Sequence, residues 1–543
     1  MKNETLKTFL DIHTWTGLGA GMALFIAFYA GAITVFTHEL HHWEAHQRGA
    51  VEHEPQTTAQ AQELLDRALE TTPQAAEAIR LELATAAEPV HLGRYFERLE
   101  NGEFERHEFR LTEDGRLSTE EDTSNLANFV YRLHYTAGLP NRLGLYTLGV
   151  ICVIYGLALV SGIVLFAPNF LKDLFVVREG NRNKKRFWLD AHNVVGVISL
   201  PWHIVFAWSS AILAIGIFFI APFQFLVFDE DLIETLGPEL GAFPAVEVAG
   251  TAAPSLDVAT LLAKAESTLP GLEPTQMRFE HLGDANGRVT IFGEVPSKTL
   301  VETASVSLST ASGEVVGVYD PAATTPGGTF YRGLIALHFV NFGGEFVRWV
   351  YFALALGGAF LFFSGNLLYI ETRRKRRKPE QLPRTVFMAR LNSGVCIGCM
   401  AGISAAFLGT RLFAGLESRA MLTEWTYYLV FAVAVAWAFV RPVAAGTRDL
   451  LFACAALSLA IPLLDAVMVG MPLWRSIATG AWTFVVVDCL ALLFAFAFWK
   501  MAMATDARAR RGDPNSVWSS GRSAPAPSEG AVTAPGSPVP VLE

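Results

Sequence analysis

Residues 187–220 read FWLDAHNVVGVISLPWHIVFAWSSAILAIGIFFI. The run is long and apolar enough to cross a bilayer, which takes roughly 20 apolar residues. It nevertheless carries His192 near its start and His203 well inside. An ionisable side chain within a membrane span is costly and marks a functional position by default. On one continuous helix, His203 would lie about three turns and roughly 16 Å beyond His192, at nearly the same azimuth.

The rest of the chain fits a membrane setting. Of its 543 residues, 52% are hydrophobic and 17% charged, against about 25% charged in soluble domains. The mean hydropathy is +0.33. The net charge of −10 is unevenly spread. Cys152, Cys396, Cys399, Cys454 and Cys489 all lie in apolar runs, which excludes a disulfide-stapled extracellular domain. Eight spans are expected, near 13–36, 144–167, 193–221, 346–370, 391–413, 426–443, 450–470 and 477–499. The basic segments LKDLFVVREGNRNKKRFW and ETRRKRRKPEQLPR join spans two to three and four to five, so both are expected in the cytoplasm. Eight spans then put both termini there too. The first span is expected to be retained, because its apolar part exceeds that of a signal peptide.

Two long polar segments, near 38–140 and 222–340, fall on the opposite side. In the first, TAQAQELLDRAL is helical, and GRYFERLE with EFERHEFRLTEDGRL forms a hairpin. In the second, LDVATLLAKAESTLP is a helix, and TQMRFEHLG, GRVTIFGEV and TASVSLSTASGEVVGVYD alternate as strands. Each reads as a small α+β domain. Residues 505–543, rich in Ser, Pro, Ala and Gly, are expected to be a disordered tail.

The spans repeat. LDIHTWTG (10–17) matches LDAHNVVG (189–196), LHY (133–135) matches LHF (337–339), and LVSG (159–162) matches FFSG (362–365). Equivalent spans run in the same direction, which implies a pseudo-twofold axis along the membrane normal. His13 and His192 become equivalent at the cytoplasmic ends of spans one and three. His134 and His338 become equivalent at the outer ends of spans two and four. An axis of this kind sets each pair face to face across a four-helix bundle, and two imidazoles suit the axial positions of a haem iron. Gly17, Gly19, Gly21 and Gly196 leave room for a flat macrocycle. His203 has Leu24 as its counterpart and no symmetric partner. It is expected to face the bundle interior as a substitute ligand or a relay between haems. Zinc is the main metal alternative, but the pairs lie too far apart in depth to supply four ligands at about 2 Å.

Other signals are weaker. HELHHWEAH (38–46) reads as a solvated juxtamembrane helix or, alternatively, a metal site. Cys396-x-x-Cys399 lies on a helix and reads as small buried residues. Asp465 and Asp488 either pair inside a bundle or line a proton path. Arg132, Arg142, Arg332 and Arg348 either neutralise haem propionates or mark the headgroup interface.

The segments LDIHTWTGL, LHYTAGLPNRLG, LDAHNVVGVISLPWH and ALHFVNFGGEFVRWVYFALALGG resemble the signatures of the PepSY-associated transmembrane helix proteins over about residues 1–375. Residues 255–320 resemble a PepSY domain, and the first outer segment is more diverged. The resemblance implies a bacterial inner-membrane protein in iron acquisition, like the siderophore-iron reductases that carry b-type haems. It makes His13, His134, His192 and His338 candidate haem ligands, with two haems b expected.

The expected fold is mainly α. It comprises a four-helix haem-binding bundle built from the repeat, two periplasmic α+β PepSY-like domains and four extra C-terminal helices. The expected division is 1–37 span one, 38–143 first outer domain, 144–221 spans two and three, and 222–345 second outer domain. After these come 346–378 span four with its basic loop, 379–504 the C-terminal helices, and 505–543 the tail. The expected function is electron transfer to a periplasmic acceptor, by resemblance a ferric siderophore. No G-x-G-x-x-G follows a strand, so the donor is expected to be a partner protein or the quinol pool. Membrane lipid is the other expected partner, and nucleic acid is not one. The rival classes are a non-redox binding module and a transporter.

Overall fold

The computed structural model describes residues 3–45, 55–85, 89–99, 104–112, 114–119, 125–178, 184–227, 237, 243, 245–296 and 300–520. Among the described residues, eight helices are long and apolar enough to cross a membrane. The first four lie within α1 (Asn3–Thr34), α5 (Asn141–Phe166), α7 (Leu200–Leu226) and α10 (Gly344–Thr372). The C-terminal four lie within α11 (Pro383–Leu412), α12 (Arg419–Val440), α13 (Val443–Leu464) with its π-turn Asp465–Val469, and α14 (Trp482–Arg511). Shorter helices connect or flank these: α2 (Thr37–Ala45), α3 (Thr58–Thr71), α4 (Leu126–Thr136), α6 (Lys184–Ile198), α8 (Val258–Thr268) and α9 (Pro326–Phe339).

In the first bundle α1 packs on α5 and α10, α5 on α7, and α10 on α6. Over their most apolar windows α1 and α11 are 61% and 72% buried, whereas the other spans are 22–33% buried. These two helices are therefore the centres of their bundles. The packing of α11 follows from its glycines. A Cβ on Gly394, Gly398 or Gly402 would lie 3.1, 3.1 and 2.7 Å from atoms of α12. Small residues every fourth position let two membrane helices approach closely where lipid offers no hydrophobic drive. Cys396 and Cys399 of α11 are free, fully buried thiols.

The opening stretch is two helices, which corrects the single continuous span. Ser199 adopts φ −90° and ψ 1° between α6 and α7, and Pro201 stands in the first turn of α7. Proline has no N–H to give to the carbonyl four residues back, and its ring crowds that carbonyl. His192 and His203 therefore lie on different helices, and the shared azimuth estimated for a straight helix does not apply.

The outer segments form one antiparallel sheet, in the order β4-β3-β2-β1-β5-β6-β7-β8. The strands are β1 (Ile79–Glu82), β2 (Leu92–Arg98), β3 (Phe104–Leu111), β4 (Leu117–Ser118), β5 (Glu273–Glu280), β6 (Arg288–Glu294), β7 (Thr303–Ser309) and β8 (Val315–Tyr319). The two segments were expected as separate domains. They join through β1 and β5, with Arg80 opposite Arg278 and Leu81 opposite Met277. Pairing removes an open edge from each half and buries Leu81 and Met277 completely. Helices α3 and α8 cover one face, capped by Thr57 with Gln60 and by Asp257 with Thr260.

Two further expectations change. Helix α14 continues to Arg511, and Trp518 packs against Leu367, Ile370, Ala389 and Val443, so a disordered tail from residue 505 is not what is seen. Residues 521–543 lie outside the described part. Helix α2 is also not a fully solvated helix. Trp43 and Glu44 are buried, and the Glu44 carboxylate accepts from the backbone N–H groups of Asn125, Leu126 and Ala127 at 2.6–3.3 Å. A carboxylate there satisfies the orphan donors that begin α4 and complements its dipole.

Candidate functional site

Two of the histidines converge at each of two levels. The His13 ring of α1 faces the His192 ring of α6 with centroids 6.3 Å apart. The His134 ring of α4 faces the His338 ring of α9 at 6.2 Å. Two imidazoles bonded in line to one metal at about 2.0–2.1 Å would have centroids about 6.4 Å apart. Both pairs therefore have the spacing that a shared iron requires. His134 also contacts α1 at Ala27, fourteen residues beyond His13, so about 21 Å of helix separates the levels.

Hydrogen bonds fix the tautomer of all four rings. His13 Nδ1 lies 2.9 Å from the Ala158 carbonyl, and His134 Nδ1 lies 2.8 Å from the Ala27 carbonyl. A carbonyl only accepts, so Nδ1 carries the proton in both. His192 Nδ1 lies 3.0 Å from Ser364 Oγ, and His338 Nδ1 lies 2.7 Å from Ser209 Oγ. Each serine already donates to its own helix, to Leu361 O and Val205 O, so it accepts from the ring. Every Nε2 thus keeps a lone pair, and every ring is oriented by a second partner, as metal-ligating histidines are.

Glycines shape the space. Gly31 seats the His134 ring, because a Cβ there would lie 2.7 Å from Nδ1. Gly162 and Gly365 back His13 and His192 in the same way, at 3.1 and 3.5 Å. A Cβ on Gly17, one turn beyond His13, would meet nothing within 4 Å, and one on Gly196 only Leu361 at 3.4 Å, whereas Gly19 is exposed. Gly21 instead packs against Asn366. A flat macrocycle fits this setting of spaced rings, anchored Nδ1 groups and open glycines.

His203 belongs to neither pair. It is 1% exposed, its Nδ1 bonds the Tyr155 hydroxyl, and its Nε2 is a buried nitrogen with no hydrogen-bond partner. Its ring lies 5.6 Å from Phe28, which lies 5.8 Å from Phe206, which lies 6.0 Å from His338. Aromatic rings thus run from the middle of the bundle to the outer pair.

The remaining candidates have other occupations. Arg348 pairs with Glu39 and Glu345 at 2.5 Å, Arg132 pairs with Glu424, and Arg332 stacks on Tyr319 at 3.6 Å. Asp465 accepts from Arg411 and from the Trp43 indole, both at 2.7 Å, in a fully buried cluster. Asp488 is also buried, with its carboxyl group against that of Asp465. Among the described residues, the metal-competent group of three is Glu97, Glu105 and His107 on β2 and β3, not the histidines of α2; His46 lies outside the described part. Sequence reasoning missed Ser161, whose Oγ lies 3.4 Å from His13 Nδ1, and Ser209, Ser364 and Tyr155 as partners of the rings. The matching LVSG and FFSG motifs held the signal for the first and third.

An uncharacterized protein of Pseudomonas aeruginosa is 27% identical over 291 residues, covering 51% of this chain and 69% of its own length. The family described as the PepSY-associated TM region matches residues 10–372. The chain belongs to that family.

Proposed function

We propose that this member of the PepSY-associated transmembrane family is a haem b electron-transfer protein of the bacterial inner membrane. His13 with His192 would hold one haem, and His134 with His338 a second. A haem held by two imidazoles supplies reversible one-electron carriage. The observation that supports this reading most is the pair of ring spacings, 6.3 and 6.2 Å, with every Nδ1 anchored. Ala158, Ser364, Ala27 and Ser209 hold the rings in one tautomer, so the unprotonated Nε2 is always presented. The aromatic side chains around His203 keep water from the space between the levels.

The basic segments at 182–186 and 373–378 would lie in the cytoplasm with both termini, and the sheet in the periplasm. The inner pair then lies towards the cytoplasm and the outer pair towards the sheet. Electrons would enter from a cytoplasmic partner or the quinol pool and leave to a periplasmic acceptor, a ferric siderophore. Hard oxygen chelators hold Fe(III) tightly, and reduction to Fe(II) weakens that hold. The protein would thus act as a transmembrane ferric-siderophore reductase. The test uses proteoliposomes with reductant inside and a ferric chelate outside. Fe(II) trapped outside by a ferrous-specific chelator supports the reading. Trapping no faster than in protein-free liposomes contradicts it.

A further inference from the structure

The sheet has a second face, opposite α3 and α8. One register line crosses it from Glu108 through Arg94, Arg80, Arg278, Thr290 and Ser307 to Gly317. Three arginines therefore stand side by side on β2, β1 and β5, at the seam that joins the two halves. Neighbouring strands are about 4.8 Å apart, and like charges directly opposite each other destabilise a sheet. Along β3, β2, β1 and β5 this face also carries Arg98, Arg106 and Arg110, against Glu82, Glu108 and Glu280.

The carboxylates offset only part of this charge. Glu82 is held by Arg94 at 2.5 Å, and Glu108 is shared by Arg94, Arg106 and Arg110 at 3.1–3.6 Å. Glu280 is engaged by Arg288 at 2.6 Å, with Arg278 at 3.6 Å. Arg80 is exposed and has no carboxylate at ion-pair distance among the described residues. Partial burial, and after it the charges of Arg278 and Arg94, hold its guanidinium below the ordinary arginine range. It lies 5.7 Å from the ring of Phe96, itself 42% exposed on the same face. Guanidinium and aromatic surfaces together suit a flat oxyanion.

The orientation of this face matters. Tyr319 lies on it, opposite Ser305, and carries Arg332 of α9 on its ring. His338 follows Arg332 by six residues on the same helix. The arginine face is therefore the one turned toward the helix of the outer histidine pair. At the β8 end it is covered by Phe243 on Gly317, while its β1–β2 region stays open.

We propose that Arg80, Arg94 and Arg278 form the binding site for a compact, multiply negative metal chelate of the catecholate or carboxylate type. The identity of the ligand as the electron acceptor rests on the reading above; the site itself does not. Neutral hydroxamate chelates lack the charge that the seam requires. The guanidinium forks would receive the chelate's outward oxygens, and Phe96 would take a flat ring.

The test is a binding titration on the full chain in detergent with redox-inert Ga(III) chelates: the tris-catecholate, the citrate and a neutral tris-hydroxamate. Binding of the tris-catecholate or the citrate, weakened by salt, is expected, and whichever binds more tightly identifies the source of the anion. Arg80→Gln with Arg278→Gln should weaken it by at least about tenfold. That double variant also relieves repulsion, so its melting temperature should not fall; if it fails to fold, Arg80→Gln alone and the salt dependence of the wild type decide. No binding of either anionic chelate, equal binding of the hydroxamate, or unchanged affinity in the variant would overturn the site. Because gallium is not reduced, a chain that binds it but carries no haem keeps this site and loses the electron-transfer reading. A chain with haem and no gallium binding does the reverse.

Discussion

The two helical bundles use glycine differently. In α11 the glycines are filled by their neighbours, with prospective Cβ contacts of 2.7–3.1 Å at Gly394, Gly398 and Gly402. The first bundle has such close contacts too, at Gly149 against Ile215 and Gly358 against Phe28, but there Gly17 faces open space, and Gly31, Gly162 and Gly365 back imidazole rings. The buried polar groups differ likewise. The C-terminal bundle closes on the Arg411–Asp465 pair and the Trp43 indole. The first bundle ends its polar contacts at four imidazoles whose second nitrogen is left to ligate. Residues 380–500 contain no histidine, whereas the first bundle presents the two imidazole pairs proposed to hold haem.

The strongest way to break this contrast is to remove a ring. His192→Ala and His13→Ala should each abolish the same low-spin haem signal, while His134→Ala and His338→Ala abolish the other. Absorption and electron paramagnetic resonance spectra check this, and unchanged haem content in all four variants would remove the distinction between the bundles. Next in size is the buried ion pair. Arg411→Met removes the counter-charge of buried Asp465 and leaves it the Trp43 indole, which should cost roughly 3–5 kcal/mol. Thermal unfolding should register the loss while haem per folded chain stays constant; a parallel loss of haem would mean that the bundles are not separable.

Glycine substitutions sharpen the comparison directly. Gly402→Ala pushes a methyl into Tyr427 and should destabilise by roughly 1–3 kcal/mol. Gly17→Ala meets no atom, so stability should hold and any change should be in haem content. Equal melting shifts for the two would contradict the contrast. The smallest effect is expected at His203. His203→Leu places the residue of its repeat counterpart, Leu24, among the same aromatic rings. Both haem signals should persist while electron passage from the cytoplasmic side slows. An unchanged rate would reduce His203 to a packed polar residue.

Much of this contrast was legible in residue order. The eight apolar runs follow from bilayer thickness, and the paired motifs place four histidines at two depths before any coordinates. The Ser-Gly of LVSG and FFSG was visible as similarity, but its work of bonding and seating a ring needs the opposing helix. Pro201 was visible too, yet a proline near a helix start and one that splits a span look alike in sequence. The fusion of the outer segments was hidden because β1 and β5 lie nearly two hundred residues apart. The arginine line was hidden for the same reason: residues 94, 80 and 278 share a face only once the register is set. The order at Trp518 depends on contacts with α10, α11 and α13 that composition does not carry.

The central claim, that the first bundle is built around two haems, is tested most directly by haem stoichiometry. The full chain would be purified from haem-replete cells, and its pyridine haemochrome spectrum measured against protein concentration by amino-acid analysis. The account predicts about two haems b per chain, with a reduced Soret band and sharp α and β bands of bis-imidazole character. A folded, colourless protein, or one with high-spin haem lost on dilution, would contradict it.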